Sequence, residues 1–303
     1  MIEDFRDKTA VITGAASGFG LACARIAAAR GMSLVLVDVQ EDALERARAE
    51  LAGAGVAVMA RVVDVASGGQ MEVLATAVQQ RFGAPHLVFN NAGVGSGGLV
   101  WENSVAEWDW VLGVNLWGVI HGVRLFVPVM LQAAQADPAW RGHVVNTASM
   151  AGLVAAPNMG IYNTAKAAVV NLTETLYHDL KLVTDQVGAS LLCPYFVPTN
   201  IMDSARNRPQ AVAVQKPTRA QQISQAMLEQ AVSHGKVSAQ EVAQKVFAAV
   251  EQDRFYVFSH ESPRALGNIS SRMQAMVELK NPIDPFAQAP EVGARLRKQL
   301  REG

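Results

Sequence analysis

Cysteine is scarce in this chain, which contains only two, Cys23 and Cys193, among 303 residues. They stand far apart, and neither belongs to a cluster with the spacing of metal ligands. A disulfide framework or a zinc site is therefore not expected, and we expect no metal in the functional site. Both cysteines should behave as small, buried apolar residues.

The chain also has no large excess of positive or negative charge. Lys and Arg total 26 against 27 Asp and Glu, which gives a formal net charge of −1, and a basic run appears only at the end, from Arg295 to Arg301. Domains that bind nucleic acids usually carry a basic patch. The balance argues against a nucleic-acid partner and favours a small molecule.

The sequence lacks a signal-peptide pattern and an evident membrane span. Glu3, Asp4 and Asp7 stand where a signal peptide would have a basic region before an apolar one. Charged residues such as Arg30 and Asp38 interrupt the apolar stretches before they reach the roughly 18 residues that a spanning helix needs. We therefore expect a cytoplasmic protein that does not cross a membrane.

Apolar material is plentiful, because 50% of the residues are hydrophobic and only 17% are charged. Short runs of Val, Ile and Leu alternate with segments of helical periodicity, which is typical of βαβ units around a parallel sheet buried on both faces. Six runs are clear and a seventh could complete the sheet: Thr9–Thr13, Ser33–Val37, Ala57–Val63, Leu87–Phe89, His143–Thr147, Ala189–Cys193 and Phe255–Phe258. We predict a Rossmann-type α/β fold with a doubly wound, seven-stranded parallel sheet and helices on both faces.

The helices predicted between the strands are Gly20–Arg30, Ala43–Ala52, Gln70–Phe82, Val105–Gln135 and Tyr162–Thr184. Residues 194–235 are too long for an ordinary connection and are predicted to form a lid or binding loop. In the tail, apolar residues recur at three- and four-residue intervals from Leu266 to Val277, which predicts an amphipathic helix. We therefore predict a main domain over residues 1–260 and a helical extension over residues 261–303.

A glycine-rich turn follows the first predicted strand and opens a helix, with the sequence Thr13-Gly14-Ala15-Ala16-Ser17-Gly18-Phe19-Gly20. Glycines there allow a tight turn and a close approach of the backbone to a pyrophosphate, whose charge the helix N-terminus stabilises. Asp38 ends the second strand, where a carboxylate can bond the adenosine ribose hydroxyls and repel a 2′-phosphate. The pattern favours NAD(H) over NADP(H). The candidate cofactor-binding residues are Gly14, Ser17, Gly18, Phe19, Gly20 and Asp38.

Each of these features also has a purely structural explanation. The glycines could form an ordinary turn and Asp38 could be a solvated strand end, although their combination with the βαβ pattern favours a cofactor. Asp64, at the end of the third predicted strand, fits either a hydrogen bond to the adenine amino group or a helix cap. No Arg or Lys stands in the glycine-rich loop or directly after Asp38 to favour a phosphate.

A second motif, Tyr162-Asn163-Thr164-Ala165-Lys166, lies within a predicted helix. A spacing of four places the phenol and the ammonium on the same side of that helix. Because a nearby cation stabilises phenolate, we expect the pKa of Tyr162 to fall toward a range in which it exchanges a proton with a substrate oxygen. Ser149, 13 residues upstream at the end of a predicted strand, can donate a hydrogen bond to the same oxygen.

Taken together, these residues resemble the short-chain dehydrogenase/reductase family. The chain carries that family's Thr-Gly-x3-Gly-x-Gly loop at Thr13–Gly20, its Asn-Asn-Ala-Gly motif at Asn90–Gly93, an Asn at Asn115, the Ser at Ser149 and Tyr-x3-Lys at Tyr162–Lys166. The motifs stand in family order across about residues 5–260. The resemblance implies an enzyme that moves a hydride between NAD(H) and the carbinol or carbonyl carbon of a small-molecule alcohol or ketone.

The resemblance also implies a role for each matching residue. Tyr162 would be the general acid/base, Lys166 would lower its pKa and hold the nicotinamide ribose, and Ser149 would orient the substrate oxygen. Asn115 would kink the fourth helix and anchor a water in a proton relay, whereas Asn90 fits either a structural role or a ligand contact. The other residues implied to contact the cofactor are Val65, Asn91, Ala92, Gly93, Pro194, Val197 and Thr199.

One position departs from the family pattern, since Pro194 is followed by Tyr195 where the family usually has glycine. Tyr195 either lines the substrate pocket or packs beneath the lid. The candidate pocket residues are Val94, Ser96, Met150, Met159, Tyr195, Phe196 and Ile201. This mostly apolar set favours a bulky aromatic or alicyclic substrate. The lid and tail are similar to those of bacterial relatives that oxidise benzylic secondary alcohols of lignin-type aryl ethers.

Other functions fit the sequence less well. Epimerases or dehydratases of nucleotide sugars space the glycine loop differently, and enoyl-thioester reductases separate Tyr and Lys more widely. A non-catalytic NAD(H)-binding regulator is the alternative from another class, but it would be expected to have lost Tyr162, Lys166 or Ser149. A homodimer or homotetramer is expected through the helices predicted at 105–135 and 162–184, because relatives commonly pair through them.

Overall fold

A seven-stranded parallel sheet forms the centre of the protein. The structure, a computed structural model, describes residues 2–209, 216–287 and 289–302. The strands are β1 (Thr9–Thr13), β2 (Ser33–Asp38), β3 (Val58–Val62), β4 (Leu87–Asn90), β5 (Gly142–Thr147), β6 (Val187–Cys193) and β7 (Tyr256–Phe258). They lie in the order β3-β2-β1-β4-β5-β6-β7. The predicted fold and strand number are confirmed.

Helices cover both faces of the sheet, as expected. They are α1 (Gly18–Ala29), α2 (Glu41–Ala52), α3 (Gly68–Phe82), α4 (Val105–Leu112), α5 (Gly118–Ala136), α6 (Met150–Val154), α7 (Gly160–Val183), α8 (Arg219–Ser233), α9 (Ala239–Gln252), α10 (Pro263–Val277) and α11 (Pro290–Arg301). Along β1, Ala10 and Ile12 face the core formed with α1, α2 and α9, whereas Val11 faces the core formed with α3, α5 and α7. Because both faces are buried, the strands are nearly continuous hydrophobic runs.

The sheet changes its winding direction at β1, which lies between β2 and β4. In such a sheet a crevice opens at the carboxyl ends of the two strands on either side of the reversal, and ligands bind there. The glycine-rich turn and the Asn-Asn-Ala-Gly segment meet in this crevice, where Asn91 Nδ2 donates to the Thr13 carbonyl oxygen at 3.0 Å. The topology thus joins two motifs that are far apart in the sequence.

The segment predicted as one helix over Val105–Gln135 is interrupted. A π-helical turn at Gly113–Trp117 separates α4 from α5 and carries Asn115. Asn115 is buried; its Oδ1 accepts from the Val94 N–H at 2.8 Å and its Nδ2 donates to the Val94 carbonyl oxygen at 2.9 Å. The extra residue of the π turn directs this side chain inward. The kink expected at Asn115 is therefore present.

The segment Val105–Ala136 is long and apolar enough to cross a membrane by length and composition, with a mean hydropathy of 1.5 over its most apolar stretch. The expectation that charges interrupt every such stretch is wrong for this segment. Its buried side chains Phe126, Val127 and Met130 pack in the core beneath the sheet. The packing is that of a core helix.

The predicted lid contains more regular structure than expected. Residues Asn200–Asn207 form a 3₁₀ helix, and α8 follows the segment 210–215, which lies outside the described residues. The start of α8 is a capping box between Thr218 and Gln221, a local signal that identifies a helix start in the sequence. The predicted tail helix is α10, and α11 follows it. The division of the chain near residue 260 stays a prediction.

Both cysteines are free and buried, as expected. Burial raises the pKa of both thiols, that of Cys193 to about 12. Since the thiolate is the reactive form of cysteine, the two residues serve packing.

A buried histidine in β5 makes the stability of the fold sensitive to acid. His143 is 1% exposed, and its Nε2 lies 2.7 Å from Ser190 Oγ. Burial lowers the pKa of His143 from 6.5 to about 4, although the Asp253 carboxylate raises it. In the unfolded chain His143 therefore takes up a proton below about pH 6.5, whereas in the folded chain it does so only below about pH 4. This contribution to stability is fully present above pH 6.5 and is lost as the pH falls toward 4.

We predict that the free energy of unfolding of the wild type falls by about 2 kcal/mol more than that of His143→Asn between pH 7 and pH 5. The reason is that the asparagine cannot take up the proton. Urea unfolding at the two pH values measures the difference, and His178→Asn, at an exposed position, is the control. Equal acid sensitivity of wild type and His143→Asn would contradict the prediction.

Candidate active site

Three glycines shape the turn after β1, each for a different reason. Gly14 and Gly18 have φ angles of 65° and 53°, which side chains disfavour. A Cβ on Gly20 would collide with the Gly14 carbonyl oxygen, so Gly20 lets α1 pack against the turn. Ser17, at the N-cap of α1, makes no side-chain cap hydrogen bond. The first N–H groups of the helix are therefore open to an anionic ligand.

A continuous cleft of about 1620 Å³ opens at the carboxyl ends of the central strands. Most of the residues selected from the sequence line it, namely Gly14, Ser17, Gly18, Phe19, Asp38, Asp64, Val65, Asn91, Ala92, Gly93, Ser149, Tyr162, Lys166, Pro194, Val197 and Thr199. Gly20 and Asn115 are not among the lining residues. Their effect on the cleft comes through the backbone that they support.

The Asp38 carboxylate is held beside the glycine-rich turn by two backbone groups. Oδ2 accepts from the Ala16 N–H and Oδ1 from the Gln40 N–H, both at 3.0 Å. Each oxygen keeps further acceptor capacity for ribose hydroxyls. Arg46 lines the same side of the cleft, a feature that reasoning from the sequence missed. It stands eight residues after Asp38, and only α2 brings it to the rim.

Asp64 also lines the cleft. Its Oδ1 accepts from the Ala66 N–H at 2.9 Å, which forms a local turn. The cap of α3 is Ser67, whose side chain accepts from the Gln70 N–H. Of the two interpretations of Asp64, the helix cap is therefore wrong. Its second oxygen can still accept a hydrogen bond from a ligand.

Asn90 has a structural role. It is 2% exposed, and its Nδ2 donates to Asn146 Oδ1 at 2.8 Å, which links β4 to β5. Asn146 Nδ2 in turn donates to Thr173 Oγ1 on α7 at 3.1 Å. This buried chain of side chains fixes α7 relative to the sheet, and α7 carries Tyr162 and Lys166.

Ser149, Tyr162 and Lys166 come together at the end of β5. Ser149 is the N-cap of α6, and its side chain lies close enough to the Tyr162 phenol to lower the pKa of that group. Lys166 Nζ donates to the Thr147 carbonyl oxygen at 2.8 Å and lies 5.8 Å from the Tyr162 ring centroid. A Cβ on Gly152 would lie 2.6 Å from the Lys166 backbone, so this glycine lets α6 pack closely on α7. The structure thus assembles the three residues that the sequence suggested.

Burial opposes ionisation of both groups of the Tyr–Lys motif. It raises the pKa of the Tyr162 phenol to about 12, although the hydrogen bond with Ser149 lowers it. It lowers the pKa of the Lys166 ammonium to about 8. The expectation that Lys166 brings the pKa of Tyr162 below its ordinary value is therefore wrong for the protein alone. For Tyr162, removal of the phenol from water outweighs the effect of Ser149 on the pKa.

The substrate end of the cleft is built from distant segments. Tyr195 lines it, and its ring centroid lies 4.3 Å from that of Phe196. The expectation that Tyr195 lines the substrate pocket is therefore correct. The other expected pocket residues, Val94, Ser96, Met150, Met159, Phe196 and Ile201, also line the cleft. Residues of the lid helix and the tail that the sequence did not suggest are Met227, Leu228, His260, Asn268, Phe286, Arg295 and Leu296. No local pattern marks them, because only the packing of α8, α10 and α11 brings them together.

The family model for short chain dehydrogenases matches residues 8–210. The chain belongs to the short-chain dehydrogenase/reductase family. A dehydrogenase/reductase of CLA biosynthesis from Lactiplantibacillus plantarum is 32% identical over 283 residues, which cover 91% of this chain and 95% of the relative. The C alpha-dehydrogenase of Sphingobium sp. strain SYK-6 is 32% identical over 297 residues, which cover 98% and 92%. A short-chain dehydrogenase/reductase from Burkholderia phymatum, solved in complex with NAD, is 49% identical with a TM-score of 0.89 and covers 95% and 100%.

The residues of this short-chain dehydrogenase fit a nicotinamide dinucleotide. The glycine conformations and the uncapped start of α1 suit a pyrophosphate. Asp38 and Asp64 offer acceptors at one end of the cleft, and Lys166 and Tyr162 offer donors near the other. Thr199, whose side chain lies 3.4 Å from the position of a Cβ on Gly18, brings the start of the lid to the glycine-rich turn.

Proposed function

We propose that the protein is an NAD(H)-dependent oxidoreductase that interconverts a secondary alcohol and a ketone on a bulky, mostly apolar substrate. The observation that carries this proposal is the convergence of Ser149, Tyr162 and Lys166 in one cleft with a dinucleotide-binding turn. A fold of this kind does not by itself imply catalysis. A non-catalytic NAD(H)-binding protein, however, would need none of these three side chains in this arrangement.

Tyr162, Ser149 and Lys166 have different roles in the proton transfer. In oxidation, ionised Tyr162 takes the proton of the substrate alcohol as general base, and in reduction the neutral phenol returns it. Ser149 donates a hydrogen bond to the same substrate oxygen and so orients it. Lys166, anchored to the Thr147 carbonyl, stabilises the negative charge of the phenolate. When bound, the nicotinamide ring exchanges the hydride with the carbinol carbon.

The lining of the cleft supports a large, mostly apolar substrate. Met159, Phe196, Met227, Phe286 and Leu296 contribute apolar surface at the substrate end, and such surface favours aromatic or alicyclic groups. The C alpha-dehydrogenase of Sphingobium, whose name places its reaction at a Cα carbon, is similar across 98% of this chain, including the tail. An aryl-substituted secondary alcohol is the substrate class that suits both observations.

Asp38 supports NAD(H) rather than NADP(H). Its carboxylate is fixed by Ala16 and Gln40, so it cannot turn away from a 2′-phosphate without losing two hydrogen bonds. The repulsion between the two negative charges in a partly buried cleft outweighs the attraction of the exposed Arg46 side chain, which water screens. The relative from Burkholderia phymatum has NAD bound.

We predict that the wild type binds NADH more tightly than NADPH and that Asp38→Asn reduces this preference roughly tenfold or more, or about 1.4 kcal/mol. The asparagine keeps the size of the side chain and removes its charge. Fluorescence titration of both cofactors measures the ratio. Asp42→Asn, which removes a charge at the start of α2 outside the cleft, is the control. An unchanged ratio in Asp38→Asn would contradict the role of the charge.

We predict that Tyr162→Phe lowers turnover by about 10²–10⁴ while NADH still binds, because the ring remains and the acid/base group is lost. In the wild type, oxidation should accelerate and reduction should slow as the pH rises, since the two directions use opposite protonation states of the coupled Tyr162–Lys166 pair. Steady-state rates with a panel of aryl carbinols test both points. Tyr177→Phe, on the same helix and outside the cleft, should behave as the wild type. Retained turnover in Tyr162→Phe would assign the proton transfer elsewhere.

We also expect a homodimer or homotetramer through α4, α5 and α7. Trp117 is 51% exposed between α4 and α5, and the exposed Ala167 on α7 allows close helix approach. A symmetric pair of such surfaces is the common solution in homo-oligomers. Light scattering at micromolar concentration should give two or four times the 32.4 kDa of the chain. A monomeric mass would refute the expectation.

A further inference from the structure

A histidine lies at the substrate end of the cleft, outside the catalytic group. His260 follows β7 and lines the cleft. Its ring centroid lies 5.9 Å from that of Tyr195. Tyr195 adjoins Pro194, whose carbonyl oxygen lies 3.4 Å from Ser149 Oγ. His260 and Ser149 thus line the same cleft, and Tyr195 and Pro194 lie between them.

A short hydrogen-bond chain fixes the tautomer of His260. The Tyr195 N–H donates to Ser259 Oγ at 2.8 Å, and that oxygen lies 2.8 Å from His260 Nδ1. Ser259 is 2% exposed, and a buried hydroxyl that donates to no acceptor destabilises the fold. Among the described residues, His260 Nδ1 is the acceptor within reach of the Ser259 hydroxyl. Ser259 therefore donates to Nδ1, and the ring proton lies on Nε2.

The Nε2–H group is left for a ligand. Burial, together with the Lys245 ammonium, lowers the pKa of His260, so the ring is neutral at neutral pH. Among the backbone groups and side chains that the structure describes, none forms a hydrogen bond with Nε2. Water can satisfy this donor while the cleft is open. A substrate that displaces the water without offering an acceptor leaves the donor unpaired, and such unpaired groups are a strong source of discrimination.

We propose that His260 determines substrate specificity by donating a hydrogen bond from Nε2–H to an acceptor oxygen of the substrate away from the reacting carbinol. The substrate is then a bulky aryl alcohol with a second oxygen, as an ether, ester carbonyl or carboxylate, rather than an alcohol with only hydrocarbon substituents. This inference rests on the proposed function of the cleft.

The side chain at position 195, where the family pattern has glycine, packs against His260. The backbone N–H of Tyr195, which a glycine would also provide, begins the hydrogen-bond chain to His260. Its ring stands edge-on to the imidazole, with an interplanar angle of 77°, and limits the orientations that the imidazole can adopt. Tyr195 is thus a positioning residue for His260.

Two variants separate the function of Nε2 from that of Nδ1. His260→Asn keeps a polar group near Nδ1 for Ser259 but has no atom at the position of Nε2. His260→Gln can extend its amide N–H toward that position. His178→Asn, exposed on α7 and outside the cleft, is the matched control.

The probes are pairs in which carbon groups of one member replace the acceptor oxygens of the other. Phenyl phenoxymethyl carbinol is compared with phenyl phenethyl carbinol, in which a methylene replaces the ether oxygen. Methyl para-carboxyphenyl carbinol and its methyl ester are compared with methyl para-isopropylphenyl carbinol. For each pair, kcat/KM is measured with NAD⁺, and the binding of the corresponding ketones is measured by calorimetry without turnover.

The wild type should prefer at least one oxygenated probe over its carbon counterpart by about fivefold for a neutral acceptor, and by more for a carboxylate. His260→Asn should lose the preference in both measurements, His260→Gln should keep part of it, and His178→Asn should keep all of it. NADH affinity should be the same in all four proteins.

Two results would overturn the proposal for His260. The first is that the wild type shows equal kcat/KM values and equal ketone affinities for both members of every pair, and the second is a preference that persists in His260→Asn. If the alcohols of each pair are oxidised equally well, the proposed function stands and the role of His260 falls. If the ketones bind with a preference that depends on His260 but no alcohol is oxidised, the recognition stands and the proposed function falls.

Discussion

The burial of one ammonium group is the constraint on which the rest of the site depends. Lys166 is 3% exposed, and its Nζ bonds the Thr147 carbonyl at the end of β5. A buried charge is costly unless partners are close, so α7 must lie tightly against the strand ends. That closeness requires Gly152, where a Cβ would lie 2.6 Å from the Lys166 backbone. The same docking carries Tyr162, one helical turn earlier, into the cleft.

Burial also sets the chemistry of the pair. It raises the pKa of Tyr162 and lowers that of Lys166, so both groups are shifted toward their neutral forms. Groups held in this way respond strongly to any charge brought near them, because a medium with few water molecules screens charges poorly. The lid and the tail, which cover the substrate end, strengthen this effect by limiting the access of water.

The substrate end has a different origin from the cofactor end. The cofactor end is made by short turns at the carboxyl ends of adjacent strands, which the topology of a doubly wound sheet brings together. The substrate end is made by the lid helix α8, against which α11 packs, and by the tail helix α10, which packs against α6. Related chains can therefore share one cofactor site while they differ in the substrates that they accept, and His260 lies at the end that differs.

The sequence by itself determined the sheet, most of its helices, the glycine-rich turn and the Tyr162–Lys166 spacing. These depend on periodicity and on distances within one element, which a local pattern specifies. Tertiary structure alone decided the π turn at Asn115, the structural role of Asn90, the approach of Arg46 and His260 to the cleft, and the upward shift of the Tyr162 pKa. Each of these depends on which distant segments pack together and exclude water, and no spacing along the chain encodes the cost of that desolvation.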